Sequence, residues 1–85
     1  MDSIIVTVTD ALKCYSYDIE VPTNVSADRL KRDIVEALNG YNSYLLLKAD
    51  FIELYCDRLG RNLEVDETFE SAGVWNGDYI TLIEV

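Results

Sequence analysis

Only one stretch of this chain repeats its apolar residues at a helical period, and it is flanked on both sides by runs that alternate like strands. Ala27, Leu30, Ile34 and Leu38 recur at three- and four-residue spacing, opposite Arg29, Lys31, Arg32 and Asp33. Ser26 suits the N-cap, Asp28 sits where the helix dipole favours negative charge, and Val25 and Leu30 occupy the positions of a hydrophobic staple. Gly40 stands just past the last periodic residue, where a left-handed cap is expected to end the helix. A lone amphipathic helix must lay its stripe on something, and the flanking pattern supplies a sheet.

Ile4, Val6 and Val8 alternate with Ile5, Thr7 and Thr9, which predicts a strand over 4–9. A turn through Asp10, Ala11, Leu12 and Lys13 leads to a second alternating run from Cys14 to Val21, with Tyr15, Tyr17, Ile19 and Val21 on one face. The two runs make a hairpin, and Pro22, which has no donor for a ladder, ends it. After the helix, residues 41–50 lack a clear period and are expected to form a loop with a helical turn. Ile52, Leu54 and Cys56 alternate with Glu53 and Tyr55 as a third strand, a turn through Asp57–Asn62 leads to a short run at Leu63, and Tyr79 to Val85 closes the chain as a last strand. The predicted order is strand, strand, helix, strand, short strand, strand. A right-handed crossover then lets the first and last strands pair in parallel at the centre, which is the β-grasp arrangement, an α+β fold of four to five strands in a mixed sheet packed on one helix.

Eighty-five residues suffice for one domain, so residues 1–85 are expected to form a single unit. Sixteen acidic residues against seven basic ones give a net charge of -9, a field that repels phosphate backbones and anionic lipid. Nucleic acid and direct membrane insertion are therefore not expected. The chain starts without a basic segment and a following apolar run, and it has no stretch long enough to span a bilayer, which points to the cytoplasm. Histidine is absent, and Cys14 and Cys56 form no metal-binding spacing, so neither a metal nor a cofactor is expected. No base and nucleophile pair is identifiable, so the chain is not expected to be an enzyme.

The C-terminal third carries a resemblance. Leu63, then Thr68-Phe69-Glu70-Ser71-Ala72-Gly73-Val74, then Asn76-Gly77-Asp78, then Ile80-Thr81-Leu82 resembles the ubiquitin-like pattern of long loop, apolar plug, tight turn and closing strand. Phe69 and Val74 are the expected plugs. The segment Tyr15-Ser16-Tyr17-Asp18-Ile19-Glu20-Val21-Pro22, with a helix soon after it, is similar to the YukD/EsaB-like family. Members of that family are small ubiquitin-like proteins encoded with type VII (WXG100) secretion systems of Gram-positive bacteria. The resemblance implies a cytosolic accessory or regulatory protein that binds cytoplasmic parts of the secretion membrane complex, in particular the FtsK/SpoIIIE-type ATPase. The alternatives are a ubiquitin-like interaction module outside secretion, a piece of a larger membrane or multidomain protein, and a modifier precursor.

Conjugation requires a flexible tail ending in Gly-Gly, whereas this sequence closes on Ile83-Glu84-Val85, which argues for non-covalent binding unless the natural chain continues. Ubiquitin's apolar patch lies on the open sheet face. Its expected counterparts here are Glu53, Thr81 and Ile83, with Leu12 in the first loop and Tyr55 at the edge. Glu53 stands at the central apolar position, so recognition by ordinary ubiquitin receptors does not carry over. Trp75, beside the tight turn, is either a lid on the lower core or an exposed anchor. Arg29, Lys31 and Arg32 are either a solvated helix face or a contact for an acidic partner. Unprotected sheet edges leave the chain a monomer or a weak dimer.

Overall fold

The computed structural model describes residues 3–85. The first alternating run becomes β1 (Ser3–Asp10) and the second β2 (Ser16–Pro22), paired antiparallel with Val6 opposite Ile19. β2 begins at Ser16, later than the alternation from Cys14 suggests, and Pro22 is its last residue, opposite Ser3. The helix α1 (Ala27–Tyr41) buries Ala27, Leu30, Ile34, Val35 and Leu38 against the sheet. β3 (Ile52–Cys56), β4 (Arg61–Asn62) and β5 (Tyr79–Glu84) complete a five-stranded sheet in the order β2-β1-β5-β3-β4. β1 and β5 run parallel at its centre, Val8 beside Ile80, and the other neighbours are antiparallel. This is the β-grasp topology.

Two helix boundaries follow from local chemistry. At the start, the Ser26 hydroxyl accepts from the Arg29 amide at 3.4 Å, and the amides of Ala27 and Asp28 donate to the carbonyls of Glu67 and Val65 at 2.6 and 3.2 Å. The long connection thereby satisfies donors that a helix N-terminus otherwise leaves open. At the end, the cap expected at Gly40 is not there. Gly40 lies inside α1, and Asn42 ends the helix in an extended conformation, its amide donating to Leu38 at 2.9 Å. The Asn42 side chain accepts from the Tyr44 amide at 3.1 Å and so caps the start of the turn that follows the helix.

Residues 43–51 hold two single 3-10 turns, Ser43–Leu45 and Ala49–Phe51, where the sequence suggests a loop with one helical turn. The Asn39 side chain fixes this stretch by donating to the Leu47 carbonyl at 3.0 Å and accepting from the Leu47 amide at 2.9 Å.

The connection from β4 to β5 contains a short helix, α2 (Phe69–Ala72), that hydrophobic period alone does not reveal. Thr68 and Ser71 cap it reciprocally, each side chain accepting from the other's amide at 2.9 Å. Gly73 closes it with φ 82°, a left-handed conformation natural to glycine, and donates to Phe69 and Glu70. Phe69 is fully buried and Val74 nearly so, the plugs expected of this connection. Arg61 grips Glu67 through two hydrogen bonds of 2.7 and 2.8 Å, which ties β4 to the same segment.

Candidate protein-binding surface

The helix covers one face of the sheet and leaves the other open. On that open face the register sets Glu53 opposite Ile83 and Tyr55 opposite Thr81, so four of the sequence-derived residues become cross-strand neighbours on β3 and β5. Glu53 is exposed and accepts from Asn62 Nδ2 at 2.6 Å, while Tyr55 and Ile83 are half-buried. Tyr55 also faces Asn62 of β4, which marks the border of the surface.

Thr81 departs from the expectation of an outward, accessible position. It is 5% exposed, because Lys13 and Asp57 close over it. The Thr81 hydroxyl donates to Asp57 Oδ1 at 2.6 Å, and Lys13 Nζ donates to Asp57 Oδ2 at 3.2 Å and to the Thr81 hydroxyl oxygen at 3.5 Å. Strand alternation assigns a face but not a depth, and a lysine from the hairpin turn supplies the cover. Lys13 reaches this place with φ 58°, in a turn built by Asp10, which accepts from the Lys13 amide through its carbonyl at 3.1 Å and from the Cys14 amide through its side chain at 2.6 Å. Leu12, at the tip of the turn, is 82% exposed and lines an open depression with Ala11, Ile83 and Glu84. Leu12, Glu53, Tyr55 and Ile83 therefore share one end of the open face, with Thr81 as its floor.

Trp75 belongs elsewhere. It precedes a turn in which Gly77 donates to the Ile5 carbonyl at 2.7 Å, at the end of the sheet opposite Leu12. Trp75 is 63% exposed, an exposed side chain and not a lid. The Arg58 guanidinium lies 3.8 Å from its ring centre, a cation–π contact that covers one ring face. Arg58 in turn donates to Asp78 from Nε at 3.0 Å and Nη2 at 2.9 Å, and to the Gly73 carbonyl. Asp78 is buried and also accepts from the Trp75 amide at 2.8 Å. Burial pushes the Asp78 carboxyl up, but the guanidinium and the amide outweigh it and hold the group below its ordinary value. This network was not legible in the sequence beyond the turn-forming Asn76-Gly77-Asp78.

The helical basic residues are not an open cationic site. Arg29 meets Asp33 at 3.9 Å, Lys31 meets Asp28 at 3.9 Å, and Arg32 spans Asp28 at 3.8 Å and Asp50 at 3.1 Å. Cys56 is fully buried with its Sγ 3.9 Å from Asp78, and Cys14 is exposed. Among the described residues, no helix is long and apolar enough to cross a membrane.

No protein-family model matches the chain, and no curated protein matches it in sequence. Solved structures do. Ubiquitin of Caldiarchaeum subterraneum superposes with a TM-score of 0.76 at 24% identity, covering 98% of this chain and 94% of that one. The EccD5 ubiquitin-like domain from Mycobacterium xenopi superposes with a TM-score of 0.81 at 14% identity, covering 100% of this chain and 97% of that domain. The UBL domain of Plasmodium falciparum Dsk2 gives a TM-score of 0.76 at 14% identity, with 98% and 99% covered. With the strand order, the parallel central pair and a single main helix, these likenesses give the chain the ubiquitin-like fold.

Proposed function

We propose that this protein is a ubiquitin-like adaptor or regulatory accessory of a bacterial type VII secretion system, acting in the cytoplasm by non-covalent protein binding. The observation that carries this reading is the end-to-end likeness to the EccD5 ubiquitin-like domain, at a TM-score of 0.81. The resemblance of the 15–22 segment to the YukD/EsaB-like family points the same way. The partners are cytoplasmic parts of the secretion membrane complex, with the FtsK/SpoIIIE-type ATPase foremost.

The end of the open face formed by Leu12, Glu53, Tyr55 and Ile83 is the proposed docking surface, with Trp75 as a separate contact point. An exposed leucine with a half-buried tyrosine and isoleucine gives an apolar centre, and Glu53 and Glu84 give an acidic rim. A basic partner surface with an apolar centre complements it. Capture of a tagged copy from the native host tests the reading. Recovery of membrane-complex components supports it, whereas their absence, together with normal secretion of small helical substrates after deletion of the gene, removes it.

A second reading is a ubiquitin-like interaction module within a larger polypeptide outside secretion. The likeness to the Dsk2 UBL domain favours it. Reading the full open reading frame and its neighbouring genes separates the two: an adjacent WXG100 gene or multi-pass membrane protein favours the first.

A further inference from the structure

The sheet order leaves β2 as an outer strand seven residues long. Which of its backbone groups face outward follows from β1. The Ile5 amide donates to Asn76 Oδ1 at 2.8 Å, its carbonyl accepts from Gly77, and the Thr7 amide donates to the Asp78 carbonyl at 3.0 Å, so Ile5 and Thr7 direct their peptide groups away from β2. Strand alternation then directs those of Ile4, Val6 and Val8 toward β2, opposite Val21, Ile19 and Tyr17. Ser16, Asp18 and Glu20 are left with amides and carbonyls turned outward, and among the described residues no strand pairs with that edge.

The two sides of this edge differ in chemistry. On the open side Asp18 and Glu20 are exposed, and their hydrogen bonds come from the neutral hydroxyls of Thr7 and Ser3, each at 2.7 Å. No cation pairs with either carboxylate among the described residues, in contrast to the acids on α1. On the helix side, Tyr17 stands between Tyr15 and Tyr41, with ring centres 5.8 and 5.6 Å away, and Tyr41 is 64% exposed. A second copy does not suit this edge. Two β2 strands side by side bring acidic residues against acidic residues, in a chain of net charge -9.

We infer that the β2 edge binds an extended segment of a partner protein in which basic residues alternate with apolar ones. The segment adds a strand to the sheet through the outward peptide groups of Ser16, Asp18 and Glu20. Because side chains alternate between faces, its basic residues fall beside Asp18 and Glu20 and its apolar residues beside Tyr17 and Tyr41. This edge is separate from the Glu53–Ile83 surface, since β1 and β5 lie between β2 and β3.

The test uses the full isotope-labelled chain and three short peptides: alternating lysine and valine, the same sequence methylated at every backbone amide, and alternating glutamate and valine. The expected result is that the first peptide shifts the amide resonances of Ser16, Asp18 and Glu20 and slows their hydrogen exchange. The methylated peptide, which keeps its charge but cannot donate, and the acidic peptide are each expected to bind at least about tenfold more weakly. Joint substitution Asp18→Lys and Glu20→Lys, at exposed positions, is expected to weaken the first peptide by about tenfold with circular dichroism unchanged. Equal binding of the methylated peptide, shifts centred on Glu53 and Ile83, or no shift at any soluble concentration overturns the inference. The methylated-peptide comparison needs no variant to fold, and none of its outcomes bears on the secretion partner.

Discussion

Glu53 and Ile83 stand directly opposite each other across β3 and β5, a carboxylate beside a half-buried aliphatic side chain on the open face of the sheet. Neither side chain belongs to the core beneath α1. Substitution here therefore separates binding from folding. Ile83→Lys, which sets a cation opposite Glu53, and Glu53→Lys are each expected to change unfolding free energy by no more than about 1 kcal/mol. Both are expected to weaken capture of the secretion partner at least about tenfold. Urea unfolding and quantitative capture measure the two effects. A loss of stability matching the loss of capture would assign both residues to folding alone.

Asp78 holds the Trp75 corner together by receiving both Arg58 and the Trp75 amide. Asp78→Ala leaves the part-buried Trp75 amide without its acceptor and removes the buried partner of Arg58, so a loss of about 2 kcal/mol is expected. Trp75 is the chain's one tryptophan, so its fluorescence reports the change. The native emission is expected to shift as Arg58 leaves the ring. An unchanged native spectrum and midpoint would show that the network does not anchor the corner.

Phe69 fills the space beneath the long connection and is fully buried. Truncation to alanine removes a large aromatic side chain from a packed core, with an expected cost of about 3–5 kcal/mol. A domain of this size has on the order of 4–13 kcal/mol in total, so Phe69→Ala is expected to be partly unfolded at 37 °C in a thermal melt. A cooperative melt within a few degrees of the parent would contradict the plug.

The pH dependence has a definite sign. Hydrogen bonds from Arg61, and then from the Glu64 amide, lower the Glu67 carboxyl to about 2 in the folded chain. A depressed folded value means the stabilisation is present above the ordinary glutamate range and is lost as pH falls toward about 2. Asp78 contributes with the same sign. Urea midpoints are expected to fall as the solution is acidified from neutral, and Glu67→Gln is expected to flatten that dependence. An equally steep slope in the variant would remove Glu67 as a contributor.

The elements with a strong period were readable from the residues. Ile4, Val6 and Val8 and the Ala27–Leu38 stripe occupy the positions that pattern alone assigns, and the plugs Phe69 and Val74 those that the ubiquitin-like resemblance implies. What pattern misses is set by contacts distant in sequence. Arg58 and Asp78 are 20 positions apart, and nothing local to either indicates the ion pair. Thr81 is covered by Lys13, 68 positions earlier. Gly40 satisfies the usual rule for a helix end, but α1 runs on through Tyr41 and closes with the Asn42 amide donating to Leu38. At the proposed surface, the face of Glu53, Tyr55 and Ile83 was legible, whereas its floor at Thr81 and the separation of Trp75 required the turn geometry.

The most direct measurement is NMR shift mapping of the labelled chain against the purified cytoplasmic domain of the host's FtsK/SpoIIIE-type ATPase. Saturable shifts at Leu12, Glu53, Tyr55 and Ile83 are the expected result. No shift at saturating concentration, or shifts confined to the outer face of α1, would contradict docking through the open end of the sheet.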